Sequence, residues 1–390
     1  MRTSFLPSTA AALLAAILAL PLLPGPRARA NETDELKQLR DQISQLEQKL
    51  QELERKQAGR DEAAAAAAAS APRITISDFG FTLASADRAN VVKLRGHVQL
   101  DSRLFFGDQG VTNNAFVLRR ARLISEGTFS KNYDFQLVTE FAGSSVSIFD
   151  ANFTARLLPG LQVKFGKFKT PVGLEQLQPD SWTFFNERAL PTNLVPNRDL
   201  GIQVGGDLLD GRLNYAVGVL NGVPDGANST NTDFDNDKDV VARVMVAPFR
   251  KDPASALQGL SFGVAGNAGR EKTASGRTAG YKTDGQQTFF AYNAAVIADG
   301  INWRVSPQLD YRRGPFGLLG EYVVSSVSVR PNVTGARTGL LNKARQVTVG
   351  CVLTGENSSY NGVVPATDFN LPAGTWGAWE ITARVADLRV

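Results

Sequence analysis

The chain has 390 residues, with 42 lysines and arginines against 38 aspartates and glutamates, so its net charge is +4. After Glu62 there are 33 basic and 29 acidic residues, a surplus too small to predict nucleic-acid binding. The single cysteine, Cys351, excludes an internal disulfide framework. The 36 glycines are typical of many strands joined by turns.

Residues 1–30 are typical of a secretory signal peptide. Arg2 is followed by an apolar stretch from Ala10 to Leu23, and the small residues Ala28 and Ala30 precede Asn31. No later segment approaches the ~20 uninterrupted apolar residues of a transmembrane helix. We therefore expect an exported protein that is periplasmic, extracellular or an outer-membrane barrel.

Residues 31–58 predict a short periplasmic coiled coil. Apolar residues recur at the a and d positions of three heptads: Leu36, Leu39, Ile43, Leu46, Leu50 and Leu53. So short a helix needs partner helices, although a single amphipathic helix docked on a domain remains the alternative. Residues 59–90 are predicted to be a linker and an entry segment, and the alanine run can continue the helix.

From Val91 onward, apolar and polar residues alternate as on a two-sided strand. This pattern favours a transmembrane β-barrel over residues 91–390, with a half-solvated soluble sheet as the alternative. Short turns alternate with long polar loops, as in bacterial outer-membrane barrels. The fourteen predicted strands are Val92–Phe105, Phe116–Phe129, Tyr133–Phe141, Val146–Leu157, Leu161–Lys169, Gly201–Leu209, Leu213–Leu220, Val240–Phe249, Leu260–Gly269, Thr288–Ala298, Ile301–Tyr311, Phe316–Val329, Gln346–Leu353 and Trp376–Leu388.

Basic residues on these strands are candidates for a water-filled lumen. On the second strand, Arg120 and Arg122 are predicted to share a face with Phe116 and Leu118, and facing lipid would cost each guanidinium about 2–4 kcal/mol. The candidate pore-lining, anion-binding residues are Lys93, Arg95, Arg103, Arg120, Arg122, Lys164 and Lys167. The alternative is that these arginines pair with nearby acids, namely Asp101, Asp134, Glu140 and Asp150.

An ordered series of motifs resembles the phosphate-selective porin O and P family. They are the arginine-rich strand Phe116–Leu123, the segment Val163–Glu175 containing Gly-Lys-Phe-Lys-Thr-Pro-Val-Gly-Leu-Glu, Phe185–Ala189, Pro196–Gly201 and Val352–Glu356. The resemblance runs from Val91 to Val390. It implies a sixteen-stranded, homotrimeric channel for small anions such as phosphate or polyphosphate, in the lipid of the bacterial outer membrane.

The resemblance also implies that residues 171–199 fold into the barrel and form its constriction. The constriction-loop candidates are Glu175, Gln176, Glu187, Arg188 and Arg198. Phosphate-specific members are expected to carry lysine where this chain has Gln176, so the resemblance predicts a pore more firmly than it predicts phosphate specificity.

Other functions have less support in the sequence. The single histidine, His97, has no nucleophile-elbow motif beside it, so we expect no enzyme, cofactor or metal centre. Asp233, Asp235 and Asp237 alternate as in a calcium loop, but the turn glycine and closing glutamate are missing, which favours a solvated loop. The remaining alternative is an envelope-tethering outer-membrane protein with non-selective or no conduction.

The sequence predicts fourteen strands, whereas the family resemblance implies sixteen. We therefore expect a barrel that lacks its C-terminal strands. The open edges would leave backbone groups unsatisfied in lipid. A genuine fourteen-stranded porin is the alternative.

Overall fold

A computed structural model describes residues 29–77, 80–106, 113–272 and 278–390. The predicted signal peptide lies outside these residues, except for its last two positions. The chain divides between Ala71 and Pro72 into two compact units, which are described separately.

The first unit is the helix α1, Arg29–Ser70. It continues through the alanine run, which is the best helix-forming sequence available, and ends before Pro72. The six apolar residues of the heptad seam are 49 to 64% exposed within this unit. Their exposure leaves an apolar stripe on the helix that has no packing partner in this unit. Of the described helices, none is long and apolar enough to cross a membrane.

The second unit is mostly β. Its strands are β1 Arg73–Ser77, β2 Gly80–Ala84, β3 Val91–Arg103, β4 Ala115–Phe129, β5 Tyr133–Glu140, β6 Ser147–Leu158, β7 Leu161–Lys169, β8 Arg198–Leu208, β9 Leu213–Leu220, β10 Asp239–Val246, β11 Leu260–Lys272, β12 Gly280–Lys282, β13 Thr288–Ala291, β14 Ile297–Arg313, β15 Phe316–Arg330, β16 Thr338–Val352, β17 Phe369–Asn370, β18 Thr375–Trp376 and β19 Glu380–Arg389. The helix α2, Leu174–Leu177, and 3₁₀ turns at Asp180–Trp182, Leu190–Asn193 and Leu371–Ala373 lie between strands.

Fifteen of these strands form one antiparallel sheet in the order β1 to β11, β14, β15, β16, β19. Within the described residues, β1 and β19 are the two edges of this sheet. The pairs β12–β13 and β17–β18 are separate two-stranded sheets.

Two features of the sheet differ from the sequence prediction. The predicted strand Thr288–Ala298 is wrong, because β13 stops at Ala291 and pairs only with β12, while Ile297 already belongs to β14. Residues 73–84, predicted as an entry segment, form the hairpin β1–β2, which pairs with β3. Neither segment shows the long alternation on which the strand predictions depended.

The faces of the sheet are polar on one side and apolar on the other. On β14, β15 and β16 the fully buried positions are mostly polar: Asn302, Arg304, Ser306, Gln308, Glu321, Ser325, Asn342, Gln346 and Thr348. Exposed apolar residues alternate with them, for example Ile301, Leu341 and Val347. We call the polar side the inner face and the other the outer face. A soluble sheet would bury its apolar side, so this distribution favours a membrane-embedded sheet with a polar interior.

Candidate functional site

The connection between β7 and β8, residues 170–197, packs against the inner face, and we call it the inserted segment. It reaches strands from both ends of the sheet order. The side chain of Glu187 contacts Arg120 on β4, while the Leu174 amide donates to Glu321 on β15 at 2.7 Å. The sheet therefore curls around the inserted segment.

Apolar contacts anchor the inserted segment in this polar interior. Val172, Leu194 and Val195 have no exposed surface and pack in one cluster with residues of β7, β9, β10, β15 and β16. Leu174 packs in a second cluster with Met245 and Leu319. These contacts lie near both ends of the segment, so it is held by burial as well as by charge.

A β-bulge brings three arginines of β4, Arg119, Arg120 and Arg122, to the inserted segment. The register shifts between Gln99 and Leu100 of β3, so that Arg119 is the extra residue of β4. This corrects the sequence prediction that Phe116 and Leu118 share a face with Arg120 and Arg122. The two apolar residues are 92% and 50% exposed, whereas Arg120 is buried. Alternation fails at a bulge because one residue is left unpaired.

Two carboxylates of the inserted segment pair with this arginine row. One oxygen of Glu187 lies 3.2 Å from Arg120 and also accepts a bond from Arg119 at 3.1 Å, while its other oxygen lies 3.8 Å from Arg103. Asp180 lies 3.4 Å from Arg120 and also pairs with two further arginines, which are Arg122 and Arg188. Each carboxylate therefore neutralises several guanidinium groups.

Electrostatics keep Asp180 ionised. Burial opposes its ionisation, but the positive charges of Arg188, Arg122 and Lys169 outweigh this and hold the pKa of Asp180 well below its usual range. The carboxylate is therefore negatively charged at neutral pH and cancels part of the arginine field.

Arg198 continues the basic row on β8. It donates to Asp150 of β6 at 3.0 Å, and its guanidinium lies 4.7 Å from the centre of the Phe149 ring. Arg122 lies 4.8 Å from the same ring, so Phe149 makes cation–π contacts with both guanidinium groups.

Two other constriction-loop candidates, Glu175 and Gln176, belong to helix α2. Glu175 is buried, accepts a bond from Gln346 of β16 at 3.0 Å and lies 3.7 Å from Arg384 of β19. Gln176 is also buried and donates to the side chain of Asn197. Glu175 and Gln176 are therefore engaged in holding the segment.

Four predicted pore-lining residues lie away from this cluster. Arg95 donates to Glu126 at 3.0 Å, and Lys93 lies 4.0 Å from the same carboxylate. Lys164 lies 5.7 Å from the centre of the Phe168 ring, and Lys167 donates to the Ser229 carbonyl at 2.7 Å. The structure thus brings together Arg103, Arg120, Arg122, Arg188, Arg198 and Glu187 but not these four.

All four acids considered as alternative partners do pair with arginines. Asp101 lies 2.8 Å from Arg103, Asp134 3.2 Å from Arg156, Glu140 2.6 Å from Arg122 and Asp150 3.0 Å from Arg198. Three of these pairs join different strands, whereas Asp101 and Arg103 both lie on β3, so the pairing that the sequence left open neutralises part of the basic charge.

Beside the arginine row lies a cavity of about 640 Å³. Its charged lining residues are the basic Arg119, Arg120, Arg122, Arg188, Arg198 and Lys282 and the acidic Asp180, Glu187, Asp225 and Asp233. The rest of its wall is largely asparagine, threonine, serine and glutamine. A second cavity of about 1370 Å³ is lined by Leu174 and by residues around the turns at Gly211 and Gly314, so the inserted segment contacts both spaces.

Sequence analysis missed Arg119 and Arg384 as contacts of Glu187. Arg119 could be identified only from the bulge, whereas the alternation of β19 places Arg384 on one face with Thr382 and Ala386.

Among the described residues, no group of three or more histidines, cysteines or carboxylates could hold a metal ion. Asp233 instead pairs with Lys238 at 2.7 Å.

An antiparallel sheet with an apolar outer face and a charged, polar inner face defines a channel-type membrane β-protein. The family model "Phosphate-selective porin O and P" matches residues 92–390. The chain belongs to this family, as the motifs predicted, and is an outer-membrane porin.

Two groups of solved structures are similar to the chain. The outer membrane channel DcaP of Acinetobacter baumannii is 13% identical, with 80% of this chain and 99% of that chain covered and a TM-score of 0.37. The outer membrane protein OmpT of Vibrio cholerae is 13% identical, with 76% and 98% covered and a TM-score of 0.32. No curated protein matches the sequence. The assignment therefore rests on the family match.

Proposed function

We propose that this porin lets small anions diffuse passively, with a weak anion preference and without tight phosphate binding. The observation that carries the proposal is the cavity beside the inserted segment, whose wall has six basic and four acidic residues. A basic surplus raises the local anion concentration. The surplus is small because Asp180 and Glu187 occupy the arginines that could otherwise grip a phosphate.

Reversal potentials in a KCl gradient test this proposal. Purified protein in a planar bilayer is expected to give a reversal potential whose sign corresponds to a modest preference for chloride. Phosphate added at micromolar concentration is expected to leave the chloride current unchanged. A cation-selective sign contradicts the anion proposal, and micromolar block shows that the arginine row binds phosphate despite its carboxylate partners.

We further propose that the mature protein begins near Asn31, that α1 lies in the periplasm and that the protein is a homotrimer. The exposed heptad seam of α1 supports association of helices, and pre-associated barrels raise their effective concentration. The tethering alternative draws on the same seam. Analytical ultracentrifugation in detergent, with and without residues 31–71, separates the contribution of the helix to trimer assembly from the contribution of the barrel.

A further inference from the structure

The connection between β16 and β19, residues 353–379, also contacts the inner space, from the end of the sheet where the short turns lie. Its residues 356–362, here called the rim segment, are fixed to that end by two bonds. The Ser358 amide donates to the Gly314 carbonyl at 2.7 Å, and Arg312 donates to the Ser358 hydroxyl at 3.0 Å. The rim segment is therefore hydrogen-bonded to residues at the turn between β14 and β15.

Tyr360 of the rim segment contacts both ends of helix α2 in the inserted segment. Its hydroxyl donates to the Leu174 carbonyl at 2.5 Å, and its own carbonyl accepts a bond from Gln178 at 2.8 Å. Its ring packs on the cluster of Leu174, Met245 and Leu319. One side chain and one carbonyl thus hold a single helical turn.

Helix α2 needs such external partners. It has only four residues, and neither end has a side-chain cap of its own. The Leu174 amide bonds to Glu321 on β15, and the carbonyl of the same residue bonds to Tyr360. A one-turn helix with few internal bonds keeps its position only while these outside groups satisfy its backbone.

A further contact connects the same two segments. A Cβ added to Gly362 would lie 2.9 Å from Cδ1 of Trp182 in the 3₁₀ turn of the inserted segment. Gly362 also has a φ of +85°, so both the backbone conformation and the close approach favour glycine here. The rim segment therefore lies against the inserted segment from Leu174 to Trp182.

We propose that Tyr360 is a positioning residue for the constriction: its ring and its two hydrogen bonds hold α2, and with it the inserted segment, in the position that sets the width of the pore. This inference rests on the proposed channel function.

Single-channel conductance of purified full-length variants tests the inference. Tyr360→Ala, which removes both ring packing and the hydroxyl bond, is expected to raise the conductance and admit larger polyethylene glycols. Tyr360→Phe removes only the hydroxyl and is expected to give a smaller change in the same direction. Tyr311→Ala is the matched control, because its hydroxyl donates to the Ala256 carbonyl at 2.8 Å instead.

The inference is overturned if both Tyr360 variants have the same conductance and the same polymer exclusion as the wild type. Trypsin cleavage after Lys169 and Arg188 gives a second readout that does not depend on conduction. Faster cleavage in Tyr360→Ala than in the Tyr311 control supports the inference, and equal cleavage overturns it. If the wild type is silent in bilayers, the proposed function fails and cleavage alone decides the inference.

Discussion

Replacing Asp180 by asparagine removes one negative charge from the arginine cluster without changing the size of the side chain. Asp180 pairs with three arginines, and the variant retains all three of these residues. We expect Asp180→Asn to make the channel more anion-selective, because the guanidinium groups lose a partner that cancels their field.

The size of the effect follows from the cavity. A sphere of 640 Å³ has a radius of about 5 Å, so an ion at its centre lies about 8 Å from a wall carboxylate. At that distance two unit charges in water interact by about 0.5 kcal/mol, which screening at 0.1 M salt reduces to about 0.2 kcal/mol. An anion gains this free energy and a cation loses it, so the chloride-to-potassium permeability ratio is expected to rise about twofold.

The assay is the reversal potential in KCl gradients centred near 0.1 M and near 1 M. At 1 M the Debye length is about 3 Å, and the difference between variant and wild type is expected to vanish. Asp180→Glu retains the charge, and Asp252→Asn makes the same charge change in the exposed connection between β10 and β11. An unchanged ratio for Asp180→Asn at 0.1 M, or a shift toward potassium, would refute the electrostatic argument.

Three further results are expected. Val347→Lys on the outer face lowers the free energy of unfolding in lipid by up to about 2–4 kcal/mol, measured by urea titration; a loss no larger than that of Val347→Ala contradicts a lipid-facing position. Gln176→Lys adds a cation to the cavity wall, so phosphate is expected to block the chloride current more strongly in this variant than in Gln176→Glu. Equal block in both variants would show that Gln176 does not line the ion path. Deleting residues 31–71 leaves trimers that dissociate at lower temperature in unboiled gels; monomeric barrels would show that the helix alone holds the trimer.

Alternation along the chain predicted where most strands lie and, away from the β4 bulge, which side of a strand is polar. On β3, the exposed even positions and the less exposed odd positions follow the sequence pattern, with Lys93, Arg95 and Arg103 on the inner face. This was predictable because a strand has a period of two regardless of its neighbours. The sheet edge β1 was not, since a five-residue strand offers too few alternations.

The candidate site was only partly predictable because its contacts join residues far apart in the chain. Glu187 was predicted as a constriction-loop candidate, but its partners depend on the β4 bulge and on how the sheet curls. The contact between Tyr360 and Leu174 spans 186 positions. No local pattern encodes a bond from a side chain to a distant carbonyl.

The central claim is that the inner face lines a conducting path through the membrane. Single-channel recording of the purified wild-type protein in a planar bilayer tests it most directly. The account predicts discrete, ohmic current steps in KCl. Repeated insertion of folded, heat-modifiable protein without any current steps would contradict it and would favour an envelope tether.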